Sequence, residues 1–234
     1  IIMSDADLEI AIPGVIDGMR YTRQGQACTA GSRVYIHEKI YDKVLDGAVK
    51  KLSKLKMGNA LDENSDIGAI ISEEQLKRTL YYMDIAKKNP STKILHGGNQ
   101  SKGGEYKDGF YYEPTLLSGL PVSSPVCQEE VFGPVACAIP FKSFDEVMKS
   151  ANDTQFGLSA VLWTKDLSRA LQFVDEIEAG FVQVNQCVAP RANVSYGGIK
   201  MSGLGKEYAF DSMMNHFTQS KTVLINRGKS NIDV

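Results

Sequence analysis

Residues 135–184, VACAIPFKSFDEVMKSANDTQFGLSAVLWTKDLSRALQFVDEIEAGFVQV, switch repeatedly between two periodicities. Val135–Ile139 is a continuous apolar run of strand length, and residues 143–152 place apolar side chains at helical spacing. Residues 159–163 read as a strand again, 166–178 as a helix and 180–184 as a strand. Alternation at these lengths implies parallel strands covered by helices. The predicted fold is α/β: a doubly wound, mostly parallel sheet with helices on both faces.

The upstream half fits the same plan. Asp5 or Asp7 is a candidate cap for a helix from Leu8 to Met19, whose Leu8, Ile12, Val15, Ile16 and Met19 share one face. Pro13 near its first turns is a potential kink. Arg33–His37 reads as a strand, and Val44, Leu45, Ala48, Val49, Leu52 and Leu55 recur at helical spacing toward a glycine stop at Gly58. Ser72-Glu73-Glu74-Gln75 matches a capping box and opens a second long helix that ends before Asn89-Pro90. Residues 93–96 form a short strand, 97–109 a polar glycine-rich loop, and 111–112 and 115–117 extended segments.

The chemistry concentrates in a few runs. Gln24-Gly25-Gln26-Ala27-Cys28-Thr29-Ala30-Gly31 sets one cysteine among small and polar neighbours, leaving room for a substrate beside its sulfur. Glycines there permit the sharp turn and close backbone approach that suit an oxyanion site. Gln128-Glu129-Glu130-Val131-Phe132-Gly133-Pro134-Val135 carries paired carboxylates into an aromatic and a Gly-Pro turn, and Gly197–Glu207 packs a glycine-rich loop. With Asn152–Ala160, these runs in this order resemble the aldehyde dehydrogenase superfamily. The likeness extends from Ser4–Leu8 to Thr222–Asn226.

That resemblance implies oxidation of an aldehyde to a carboxylic acid with NAD or NADP, through a thiohemiacetal and thioester on Cys28. The Cys28 N–H would contribute to the oxyanion hole. In the family the second oxyanion donor, an asparagine, and the water-activating glutamate precede this cysteine and would lie before residue 1. So would the dinucleotide-binding domain, and the opening Ile1-Ile2-Met3-Ser4 reads as a cut inside a strand. The expectation is a catalytic domain over residues 1–212 and a tail over 213–234, inactive by itself.

By the same resemblance Glu130 grips the nicotinamide ribose, two carboxylate oxygens suiting a vicinal diol, and Phe132 packs near the nicotinamide. Val188, Pro190 and Tyr196 line the substrate tunnel, with Cys187 in its wall. Arg191 reads as a solvated loop arginine or as a partner for an anionic substrate tail. Glu129 is expected to face solvent or a local basic group, and Cys127 and Cys137 to pack. A tail strand over 217–225 would bridge subunits of a homo-oligomer, since an unpaired edge attracts a neighbour. Three other readings stand beside this one: a CoA-acylating semialdehyde dehydrogenase using the same cysteine, a Cys28–His37 peptidase, and a folded scaffold without turnover.

Bulk composition narrows the classes. The 234 residues are 43% hydrophobic and 23% charged, values of an ordinary globular domain. A net charge of -2 offers no basic excess for a nucleic acid. No apolar run reaches the roughly 20 residues of a membrane span. Four cysteines without CxxC spacing and three histidines point away from zinc and toward a reducing, cytoplasmic setting.

Overall fold

The computed structural model describes residues 1–226. In chain order its elements are α1 (Leu8–Gly18), β1 (Arg33–His37), α2 (Tyr41–Leu52), α3 (Glu73–Lys88), β2 (Lys93–His96), β3 (Thr115–Ser118), α4 (Pro125–Gln128), β4 (Val135–Phe141), α5 (Phe144–Asn152), β5 (Phe156–Gly157), β6 (Ser159–Leu162), α6 (Leu167–Glu176), β7 (Phe181–Val184), β8 (Ile199–Lys200) and α7 (Phe210–Phe217). Short polar side chains start four helices. Asp7 accepts from the Glu9 amide, Ser72 from Gln75, Ser143 from Glu146 and Asp166 from Arg169, each satisfying an amide that the first helical turn leaves unpaired.

The main sheet runs β1-β4-β3-β2, with β4 parallel to both β1 and β3 and β2 antiparallel at the edge. Residues 1–3 extend it. Ile2 pairs in parallel with Ile36 on one side and Trp163 on the other, so β6 and its parallel partner β7 continue the same surface. The sheet is therefore mixed, with a parallel centre.

Side chains alternate across it and feed two cores. Val34, Ile36, Leu116, Ala136, Ala138 and Trp163 pack against α1 and α2, whose Ala11, Val15, Ala48 and Leu52 are buried. Tyr35, Leu117, Val135, Cys137 and Ile139 face the other way onto Leu76 and Met83 of α3, Val147 of α5 and Phe173 of α6. Helices thus cover both faces. β4, wedged between two strands and two helical layers, is buried on both sides, which is why its sequence is a run rather than an alternation.

Several boundaries differ from the sequence reading. The second helix ends at Leu52 rather than at Gly58, because the chain turns early to let Gly58 donate to the Ile67 carbonyl at 2.9 Å. Two helices, α4 and α7, arise where strands or loops were expected. The expected tail strand over 217–225 is not formed: Phe217 closes α7, and residues 218–226 run exposed without strand pairing. A strand needs a neighbour for its amides and carbonyls, and among the described residues no strand pairs with this segment. The boundary expected after residue 212 falls within α7, and the last residues of the expected tail, 227–234, lie outside the described residues.

Candidate active site

Parallel pairing brings the two chemistry-bearing loops together. Arg33 lies opposite Cys137, so the loop carrying Cys28 and the loop carrying Glu130 enter neighbouring strands from the same edge. The loops touch through backbone. Gly25 adopts φ +64°, and a Cβ there would sit 2.2 Å from the Gly133 carbonyl oxygen, so only glycine permits this approach. The cysteine loop is tied on its other sides by Gly31 N–H donating to the Gly18 carbonyl (2.9 Å) and by Ile71 N–H donating to the Gln26 side chain (3.1 Å).

A cleft of about 420 Å³ opens there. Cys28, Glu129, Glu130, Phe156, Trp163 and Cys187 are among the residues of its wall. The Cys28 sulfur is exposed and lies 3.1 Å from the Tyr196 hydroxyl. Among the described residues no acceptor takes the Cys28 N–H. Tyr196 is held on three sides. Its ring meets Phe181 and Tyr208 edge-on at 5.5 and 5.7 Å, and its backbone exchanges hydrogen bonds of 3.0 and 2.7 Å with Glu207. Burial, then the contact with Cys28, pushes the Tyr196 phenol well above its usual range.

Helix α3 fixes the carboxylate loop. The Gln75 amide donates to the Val131 and Phe132 carbonyls at 3.0 and 2.7 Å, and Arg78 donates to the Glu130 carbonyl through Nε at 3.1 Å. Arg78 holds the backbone of Glu130, which lies in the cleft wall, and among the described residues no partner engages the Glu130 carboxylate. Glu129 is exposed, as one of its two expected settings had it, and its partner is no base but the Tyr82 hydroxyl, which donates at 2.7 Å. Burial, then that bond, pushes the Tyr82 phenol up to about 12. Phe132 sits in the left-handed region at φ +54°, a conformation costing roughly 1–2 kcal/mol for a residue with a side chain. Gln75 and Arg78 were not singled out from sequence as site residues. Their signal was the spacing of three, which puts both on one helical face.

Residues 1–223 match the family described as "Aldehyde dehydrogenase family". The chain belongs to the aldehyde dehydrogenase family. It is 39% identical over 221 residues to an aldehyde dehydrogenase of Deinococcus radiodurans, covering 94% of this chain and 42% of that protein. It is 35% identical over 229 residues to a betaine aldehyde dehydrogenase of Brucella melitensis, covering 98% and 46%. Among solved structures, the NAD+ complex of the Bacillus cereus aldehyde dehydrogenase superposes with a TM-score of 0.89 at 34% identity, covering 97% of this chain and 45% of that one. The Staphylococcus aureus betaine aldehyde dehydrogenase, also an NAD+ complex, gives 0.87 at 33% identity, covering 92% and 42%. The chain spans a little under half the length of these relatives.

Cys187 stands on the cleft wall. Val188 and Pro190 lie on the loop beside the cleft, Val188 donating to the Gln183 side chain (2.8 Å) and accepting from Arg20 (3.2 Å). Arg191 is exposed. Cys127 and Cys137 belong to the core, Cys127 also reaching the cleft. His37 accepts from the Lys39 amide at 3.2 Å and stacks edge-on with Phe141, and His96 bonds the Pro114 carbonyl at 2.7 Å. Cys28 is partnered by a phenol instead of an imidazole. Lys206 donates to the Gly197 and Gly198 carbonyls at 2.9 and 3.0 Å, and Lys200 to Asn152 and Thr154 while pairing with Glu178. Among the described residues no group of His, Cys, Asp and Glu is arranged to hold a metal ion, and no helix is long and apolar enough to cross a membrane.

Proposed function

We propose that this chain is the catalytic portion of an NAD(P)-dependent aldehyde dehydrogenase, oxidising an aldehyde to a carboxylic acid through a thioester on Cys28. The observation that carries the reading is the shared cleft of Cys28 and Glu130, on loops in backbone contact, within a chain of this family. The Cys28 thiolate attacks the carbonyl carbon, a C–S bond forms, and the carbonyl π pair moves onto oxygen. The unpartnered Cys28 N–H is available to that oxyanion. When bound, NAD or NADP would supply the acceptor for the hydride lost from the adduct carbon. Water then cleaves the thioester, releasing the acid and restoring the thiol.

Glu130 is assigned to the cofactor ribose; it stands in the cleft wall with its carboxylate engaged by no described residue, which fits that task. Phe132 is assigned beside the nicotinamide, and Val188, Pro190 and Tyr196 to the substrate tunnel. NAD+ complexes of the Bacillus cereus and Staphylococcus aureus relatives support the cofactor assignment. Cys28→Ala in the full-length protein is expected to abolish NADH or NADPH formation with a panel of aldehydes, and oxidation at a normal rate refutes the assignment. Added CoA that appears as acyl-CoA would reassign the second half-reaction to thiol acylation.

A second reading, self-assembly through the tail, draws on exposed apolar side chains. Phe217, Leu224 and Ile225 are 79%, 92% and 76% exposed, more than an isolated surface favours. Light scattering before and after removal of residues 218–234 tests it. An unchanged mass in solution counts against a tail-mediated homo-oligomer.

A further inference from the structure

The Tyr196 hydroxyl touches the very sulfur assigned as nucleophile, although the tunnel assignment asks of Tyr196 only its ring. The ring is fixed by Phe181, Tyr208 and the backbone pair with Glu207, and Lys206 holds the two carbonyls that follow. Little freedom therefore remains to be lost when the hydroxyl bonds to sulfur. Burial keeps that phenol protonated where a thiol ionises, so its proton is available to a thiolate as a donor. A hydrogen bond to a charged acceptor is stronger than one between neutral groups.

We propose that Tyr196 is a positioning residue for Cys28: its hydroxyl donates to the sulfur, populating the thiolate and aiming it into the cleft. The proposal rests on the reading of Cys28 as nucleophile and adds a role to Tyr196 beyond lining a tunnel. It has an unusual kinetic consequence. The bond raises the thiolate population but lowers the intrinsic reactivity of each thiolate, because nucleophilicity falls with basicity by a factor of about three per tenfold change in ionisation. Removing the hydroxyl therefore slows sulfur chemistry near neutral pH and accelerates it in strongly alkaline buffer.

Tyr196→Phe keeps the ring and its edge contacts and deletes only the oxygen. The titratable groups about the cleft other than Cys28 and Tyr196, among them Arg33, Tyr35, Cys127, Glu129, Glu130, Glu178 and Cys187 in its wall and Glu207 and Tyr208 beside Tyr196, are shared by both proteins and cancel in the comparison. The test is the second-order rate of iodoacetamide labelling at Cys28, followed by peptide mass on the chain itself, with Cys28→Ser confirming the labelled position. For a tenfold loss of thiolate, equivalent to about 1.4 kcal/mol, the variant is expected to label about threefold more slowly at pH 7 and about threefold faster at pH 11. Equal rates at both pH values overturn the proposal. So does a variant faster at both, which would make the tyrosine a mere shield, or slower at both by one factor, which would mean a displaced loop. Labelling needs no aldehyde and no cofactor, so its outcome is separate from that of Cys28→Ala in the oxidation assay.

Discussion

Gln75→Leu isolates the clamp between α3 and the carboxylate loop. The substitution leaves the helix start intact, since Ser72 caps through the backbone amide of residue 75 and not through its side chain. Helix propensity is nearly unchanged between Gln and Leu. What disappears is a pair of hydrogen bonds, to Val131 O at 3.0 Å and Phe132 O at 2.7 Å. Two such bonds contribute about 1–3 kcal/mol net, and the carbonyl of buried Val131 has less access to replacement water than that of half-buried Phe132. The left-handed strain at Phe132, roughly 1–2 kcal/mol, is of the same size and pulls the loop away once the clamp is gone. A destabilisation of about 2 kcal/mol is therefore expected, a factor of about 30 in an equilibrium constant. Urea unfolding reads the global loss. Amide exchange at residues 130–133 should quicken by a similar factor, with the amides of α2 moving far less, and the full-length enzyme should show a raised KM for its cofactor ahead of any fall in kcat. A stability change below about 0.5 kcal/mol with unaltered exchange in the loop refutes the reasoning.

Gly14→Ala sets two effects against each other: alanine favours the helix by about 1 kcal/mol, but its Cβ would lie 2.1 Å from Trp163 Cζ2. Overpacking of about 1–3 kcal/mol or more should win, shifting the emission of the chain's single tryptophan and lowering Tm; a more stable variant would contradict the packing. Asp5 is partly desolvated, yet hydrogen bonds from Thr164 Oγ1 and the Lys165 amide, each at 2.9 Å, more than offset this and hold its carboxyl below the ordinary 3.8. A depressed carboxylate contributes stability that is present above the ordinary value and vanishes as pH falls through the folded one. Asp5→Asn should accordingly flatten the acid limb of the stability curve below about pH 4, and an unchanged limb would remove Asp5 from the linkage.

Much of the fold lay open in the one-dimensional pattern because its signals are local. Asp7, one of the two candidates, and Ser72 cap the helices they were expected to cap, and Arg33–His37 and Val135–Ile139 are strands, since caps and apolar runs act within a few residues. The misses have distant causes. Gly58 does not stop α2, because it pairs with Ile67 instead. The Gln75 side chain, which completes a capping box on paper, reaches to residues 131 and 132. Such partners are too far apart in sequence for any local spacing to predict.

Legible in the sequence were the alternation of strands and helices that implied a sheet covered on both faces, and the ordered runs around Cys28 and Glu130 that carried the resemblance to the family, because these signals are local to short stretches. Three things belong to the tertiary structure: the clamp of Gln75 and Arg78 on the carboxylate loop, the phenol of Tyr196 on the sulfur, and the exposed, non-strand course of residues 218–226. Each of the first two is a contact between segments that the sheet brings together, and the third depends on a neighbouring edge. Both are properties of arrangement in space, to which a list of residues gives no access.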